Sequence, residues 1–148
     1  VFLQMYITQN IGVGKNKTLD EAFNTNNLHI EWIGNEVSCG VGMQRIDILL
    51  SAKSKTNNIV LPIELKAVGA SMDNIRQIKR YMDWLKLYYY PNIHSAFQPV
   101  LLCKKGDPLT DEIKKAFVDL KNKYRSLPVL YIEHYVKNNE IIFERVKY

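Results

Sequence analysis

Arg45-Ile46-Asp47-Ile48-Leu49-Leu50 and Pro62-Ile63-Glu64-Leu65-Lys66 are the two stretches from which the fold is read. Both are short apolar runs, as expected of strands buried on both faces. Each also carries charge where the pattern calls for an apolar side chain: Asp47 in the first, Glu64 and Lys66 in the second. Side chains two apart on a strand share a face, so Glu64 and Lys66 point the same way, and a hairpin-like neighbour places Asp47 opposite them. Burying a charge is costly unless it is paired or bound to a metal. Two explanations stand at this point. One is an ion pair, Lys66 with Asp47 or Glu64, that satisfies itself. The other is a hard-cation site, in which two carboxylates and the intervening Leu65 carbonyl supply the oxygen ligands that Mg²⁺ prefers. A lysine beside such a cation orients a water, helps deprotonate it and offsets phosphate charge, as in-line hydrolysis of a phosphodiester requires.

The flanking sequence supplies the rest of the architecture. Thr18-Leu19-Asp20-Glu21 has capping-box spacing and predicts a short helix to about Phe23, ended by the asparagines at 24–27. Residues 30–38 and 45–51 read as a hairpin around Gly40-Val41-Gly42, and residues 59–66 as a third strand. Pro62 lacks an N–H, so it belongs there only where the ladder needs no donor. Ser71 caps a long helix to about Tyr89, with Met72, Ile75, Ile78, Met82 and Leu85 on one face. A short strand follows at 98–103. Thr110 then caps a helix striped by Ile113, Ala116, Phe117, Leu120 and Tyr124, and strands at 128–135 and 140–146 close around Asn138-Asn139. Helix, three strands, helix, strand, helix and two strands make an α/β fold, a mixed central sheet flanked by helices.

Composition sets outer limits. With 148 residues, 47% of them hydrophobic, the chain is expected to form one domain over 1–148, and its first residue, Val rather than Met, suggests a fragment or a processed chain. No apolar run reaches the roughly 18–20 residues that span a bilayer, and no signal peptide is visible, so no membrane role is expected. A net charge of +5 favours polyanionic partners. Cys39 and Cys103, both flanked by apolar residues, read as buried free thiols in a reducing, cytoplasmic setting.

Asp47, then Glu64-Leu65-Lys66 on the following strand, resembles the PD-(D/E)XK nuclease superfamily, which has the restriction-endonuclease-like fold. The usual Pro-Asp pair reads Ile46-Asp47 here. The helix adds a second likeness. Gln77-Ile78-Lys79-Arg80-Tyr81 is similar to the QxxxY helix of the NucS-type and RecB-like branches, and Gln77, Tyr81, Trp84 and Tyr88 form a stripe beside its apolar face. The resemblance runs over residues 18–135 in element order as well as motif. It implies that Asp47, Glu64 and the Leu65 carbonyl hold Mg²⁺, with Mn²⁺ as a substitute, and that Lys66 serves the attacking water. Gln77 would position the lysine, the water or a phosphate. Glu21 corresponds to an acidic residue that often joins the metal site in this superfamily, and its other reading is the capping box. Glu31 and Glu36 compete for that place.

The implied activity is a Mg²⁺-dependent endodeoxyribonuclease acting on DNA, with a homodimer left open. One version is repair-type cleavage of mismatched or branched DNA, as in the NucS-type branch, whose enzymes usually carry an extra N-terminal domain for which this chain lacks room. The other is a compact restriction enzyme. From different classes come a non-catalytic nucleic-acid-binding module on the same scaffold and a structural α/β domain that pairs with a protein. Other features read as structural. His29, His94 and His134 lack metal-ligand spacing, and Gly12-Val13-Gly14-Lys15-Asn16 fails as a phosphate-binding loop because no Ser or Thr follows the lysine. Tyr88-Tyr89-Tyr90 reads as helix-end packing, with base stacking as its alternative.

Overall fold

A computed structural model of the chain describes residues 2–40, 44–88 and 95–148. Val41 and Gly42 of the expected turn, Tyr89 and Tyr90 of the tyrosine run, and His94 lie outside the described residues. Two helices, α1 (Phe2–Asn10) and α2 (Lys17–Phe23), and a single 3-10 turn at Thr25–Asn27 precede the strands β1 (His29–Ser38), β2 (Arg45–Lys53) and β3 (Asn58–Lys66). Then come α3 (Met72–Tyr88), the short β4 (Ser95–Phe97), β5 (Val100–Lys104), α4 (Asp111–Tyr124), β6 (Leu130–Lys137) and β7 (Glu140–Arg145). All seven strands form one sheet in the order β1-β2-β3-β5-β6-β7, with β4 beside β3. β1, β2 and β3 run antiparallel, β3, β5 and β6 are parallel, and β7 returns antiparallel to β6. The expected α/β architecture, a mixed sheet flanked by helices, is the one observed.

Strand alternation splits the apolar residues between two layers. On one face, Leu49, Val60, Leu101 and Tyr131 pack beneath the apolar stripes of α3 and α4. On the other, Ile48, Leu50, Leu61, Ile63, Val100, Leu102, Ile132 and Phe143 meet Ile7 of α1 and Leu19, Ala22 and Phe23 of α2. Burial of each such side chain is worth about 1.5–3 kcal/mol, so the two layers together hold the sheet between its helices.

Several boundaries differ from expectation, each for a local reason. Helix α1 was not foreseen. The N-cap of α2 is Asn16 rather than Thr18: the Asn16 side chain accepts from the Leu19 N–H at 3.1 Å, while the Thr18 hydroxyl accepts from Phe143 N at 3.0 Å and ties the helix to β7. β6 starts at Leu130, whose N–H reaches the Pro99 carbonyl at 2.9 Å, and not at Pro128, which has no N–H to give. Pro62 stands inside β3 without cost. Its nitrogen lies on the edge of β3 that faces β4 and β5, and it falls between their pairings, Val60 with Phe97 and Ile63 with Val100. There the chain passes through Gln98-Pro99, so no carbonyl awaits a donor. The β6–β7 hairpin turns through Asn138 and Asn139, both left-handed at φ 51° and 63°, as a two-residue turn between twisted strands demands.

Candidate functional site

The ladder between β2 and β3 runs from Lys53 opposite Asn58 to Ile48 opposite Ile63, and stops. One residue further on each strand stand Asp47 and Glu64. Instead of bonding β2 backbone, the Leu65 N–H donates to Asp47 Oδ2 at 2.8 Å. A residue's N–H and C=O leave the same edge of an antiparallel strand, so the Leu65 carbonyl faces this opening too. Glu64 points to the α3 side and is only 3% exposed. Its Oε1 lies 3.1 Å from the Lys66 ammonium, and its Oε2 accepts from the Tyr81 hydroxyl. Lys66, at 37% exposure, reaches from the end of β3 toward solvent.

Electrostatics bears on the two explanations offered by the sequence. A self-satisfying ion pair should hold its carboxylates below their ordinary range. Here burial, then the charge of Asp47, push the Glu64 carboxyl up, more than Tyr81 and Lys66 pull it down. Burial, with a smaller push from the Glu36 charge, also raises Asp47, against the Leu65 N–H, hydrogen bonding with Glu64 and the nearby Lys66. Burial lowers Lys66, but its hydrogen bond to Glu64 and the charges of Glu64 and Asp47 outweigh that and hold it above its ordinary value. One ammonium therefore serves two acids, Glu64 buried and Asp47 half-buried, and both stay above their ordinary values. The donor set is all oxygen, which suits a hard divalent cation better than a soft one. Asp47, Glu64 and the Leu65 carbonyl are the groups that could hold one. Among the described residues no set of three His, Cys, Asp or Glu side chains converges on a metal position, so backbone and water oxygens would complete the shell.

The remaining predicted residues fare differently. Gln77 lies one turn before Tyr81 on α3, where it bears on the Tyr81 hydroxyl, and its Oε1 accepts from Arg80 at 3.1 Å. It thus reaches the cluster through Tyr81. Glu21 is not brought to the cluster. It is exposed on α2, which packs against β7, and β5 and β6 stand between β7 and β3. At about 4.8 Å per strand spacing this is roughly 14 Å of sheet. With Asn16 as the cap, Glu21 has no capping role either. Glu31 is exposed on β1 in the irregularity between the Ile30–Ala52 and Trp32–Ser51 pairings, toward the far end of β2 from Asp47.

Glu36 is the acidic competitor that comes close. It sits at φ 53°, between the pairings of Asn35 with Ile48 and Val37 with Ile46, and its charge bears on Asp47. Gln4 of α1, unmarked in the sequence, donates to Glu36 Oε1 at 3.2 Å and to the Asp47 carbonyl at 2.6 Å. No sequence signal short of recognising α1 would have found it. His134 is structural in the sense expected: its Nε2 lies 3.2 Å from the Lys66 carbonyl, and burial, then Lys104, depress its basicity against that bond. Cys39 and Cys103 are buried free thiols.

No family model matches the chain, and no curated protein does. Three solved structures are similar. A chain of an EndoMS–dsDNA complex is 21% identical with a TM-score of 0.37, covering 68% of this chain and 34% of its own. This chain therefore spans about a third of the EndoMS chain's length. A XisH family protein from Nostoc punctiforme is 12% identical over 88% of this chain and 97% of its own, with a TM-score of 0.41. An fdxN element excision controlling factor protein from Anabaena variabilis is 13% identical over 88% and 96%, with a TM-score of 0.42. At these similarities the chemistry of the cluster has to be argued from its own residues. No helix among the described residues is long and apolar enough to cross a membrane.

Proposed function

We propose that this chain is a divalent-cation-dependent endodeoxyribonuclease that hydrolyses phosphodiester bonds at the Asp47–Glu64–Lys66 cluster. The observation that carries the reading is a buried carboxylate, Glu64, beside the half-buried Asp47, each raised and jointly served by one ammonium, at the point where β2 and β3 part. A fold retains such an arrangement at a cost in stability, and a function explains why it is retained. Asp47, Glu64 and the Leu65 carbonyl would hold Mg²⁺, or Mn²⁺ in its place. When bound, such a cation supplies Lewis-acid polarisation of the phosphate and neutralises charge developing there.

The chain's own residues do the rest. Lys66 enters as an ammonium, because the two acids hold it in that form. It donates hydrogen bonds to the attacking water or a phosphate oxygen and offsets the charge that builds up on phosphorus oxygens. It becomes a proton acceptor only when Glu64 is drawn away from it. The net charge of +5 favours approach of a polyanionic backbone from solution.

The test is cleavage by the purified chain beside Lys66→Ala and Asp47→Ala. Plasmid duplex, single-stranded, mismatched and branched DNA are each offered with Mg²⁺, Mn²⁺ or chelator. The expected result is cation-dependent cutting that falls by about 10²–10⁴-fold in folded Lys66→Ala. The preferred substrate then decides between a repair-type and a restriction-type enzyme. A folded wild type that binds DNA in a salt-dependent way and cuts nothing would refute catalysis in favour of a binding module.

A further inference from the structure

Tyr81 is 1% exposed and projects from α3 to the place where β2 and β3 separate. Its hydroxyl stands between two acceptors on different strands: the Arg45 carbonyl of β2 at 2.9 Å and Glu64 Oε2 of β3. Past the last paired rung, Ile48 with Ile63, the bond from Leu65 N–H to Asp47 and this hydroxyl both link the two diverging strands. A phenol has one hydrogen to donate and an oxygen that accepts. Gln77, one turn earlier on α3, bears on that hydroxyl, and its own Oε1 accepts from Arg80 at 3.1 Å. Both acceptors lie on the strands, so the hydroxyl's hydrogen is directed away from the helix.

We infer that Tyr81 is the positioning residue of the cation site: it spans the gap between β2 and β3 and fixes one oxygen of Glu64, so that Oε1 is presented beside Asp47 and Lys66. The inference rests on the cation-site reading above and adds a cause for the orientation of its carboxylate. Without the strut, the Glu64 side chain is free to turn its second oxygen toward Lys66, and the width of the opening is set by the Asp47–Leu65 bond alone. Groups that orient a metal ligand in this way affect affinity nearly as much as the ligands do, typically 10–100-fold. Gln77 acts through Tyr81, one turn along the same helix, and its removal has a smaller effect of the same sign.

The experiment titrates Mn²⁺ into the protein without DNA, following free Mn²⁺ by electron paramagnetic resonance. It compares wild type with Tyr81→Phe, Gln77→Met and Glu64→Gln, each checked by circular dichroism for a native fold. Tyr81→Phe keeps the buried ring and is expected to bind Mn²⁺ about 10–100-fold more weakly, with Gln77→Met between it and wild type and Glu64→Gln lowest. Tyr81→Phe binding within twofold of wild type would overturn the inference, whatever happens to its melting temperature, because the hydroxyl would then serve packing alone. Should Tyr81→Phe fail to fold, Gln77→Met decides, and an unchanged affinity there overturns it. A wild type that binds no Mn²⁺ removes the cation reading and this inference together, whereas binding indifferent to Tyr81 removes the inference alone.

Discussion

Neutralising Glu64 should make the cation-free protein more stable, although it removes a salt bridge. In Glu64→Gln the amide oxygen still accepts the Tyr81 hydrogen, while the buried charge and its repulsion with Asp47 disappear. What is lost is the attraction to Lys66, an ammonium 37% exposed and therefore screened. Keeping a charge out of water costs on the order of several kcal/mol even after relaxation, and a neutral group of the same shape is spared that penalty. Discounting for the screened lysine leaves about 1–2 kcal/mol at neutral pH. In a chain of this size that is a rise of roughly 2–8 °C in melting temperature.

The pH dependence gives the sharper check. The folded chain holds the Glu64 proton above its ordinary value of 4.5, so folded protein binds more protons than unfolded across that window. Wild-type stability must then fall as pH rises from 4.5 through the folded value, and Glu64→Gln lacks that fall. The gain from Glu64→Gln should be near zero at pH 4 and full at pH 7.5, measured by thermal and urea unfolding with chelator present. Saturating Mg²⁺ should reverse the order, because a ligand at a hundredfold its Kd stabilises only the protein that binds it, by about 2.7 kcal/mol. A Glu64→Gln protein less stable than wild type at pH 7.5 with chelator, or a gain independent of pH, would refute the claim that the cluster is charge-starved.

Three further outcomes follow from other parts of the fold. A Cβ at Gly34 would lie 2.8 Å from Trp32 Cζ2 and 2.9 Å from Val37 Cγ2, so Gly34→Ala should cost about 1–3 kcal/mol in urea unfolding. Adding Trp32→Ala should recover much of that, and an additive double mutant would contradict the clash. Asn16→Ala removes the cap of α2 and also the bonds to Tyr6 Oη at 2.9 Å and the Ile141 carbonyl at 2.8 Å, a loss of about 1–2 kcal/mol. An effect within 0.3 kcal/mol would show that Asn16 is not the cap. Burial, then the Glu64 charge, push the Cys103 thiol up to about 12, so the folded protein at pH 8 should resist a disulfide reagent until denaturant is added. Rapid labelling of Cys103 in native protein would count against its burial.

The central strands and the long helices were legible because their signals are local and repeated. Two apolar runs interrupted by charge marked β2, β3 and the cluster at once. The 3.6-residue stripes of α3 and α4 showed which faces would be buried, and Ile75, Ile78, Met82 and Leu85 are all 0% exposed. Elements held by tertiary contacts were not legible. Helix α1 exposes Phe2 and Met5 and among its residues buries only Ile7, so it carries no strong stripe; Gln4 and Tyr6 anchor it from a distance. β4 is three residues long, too short for any period to emerge. Thr18-x-x-Glu21 had the right spacing for a capping box, but a partner far along the chain, Phe143, claims the threonine hydroxyl. The placement of acidic residues around the cluster failed for the same reason. Which carboxylate approaches Asp47 depends on where α2 docks and on the backbone at Glu36, neither of which the sequence states locally.

Pro62 has a consequence for how the chain avoids misfolding. A strand of alternating apolar residues tolerates a slip of two positions, since every side chain keeps its face. Such a slip in β3 would keep Leu61 and Ile63 in the same layer while carrying Glu64 two positions away from its place just past the last rung. It would also carry the proline out of the break between β4 and β5 and set it against a carbonyl that it cannot satisfy, at the cost of a buried unpaired acceptor. The misregistered sheet is therefore penalised at the backbone, independently of any side chain in the cluster. Pro62 thus acts as a ratchet pawl two residues ahead of Glu64: the strand can be laid down in one position only, and that position delivers the carboxylate to the opening.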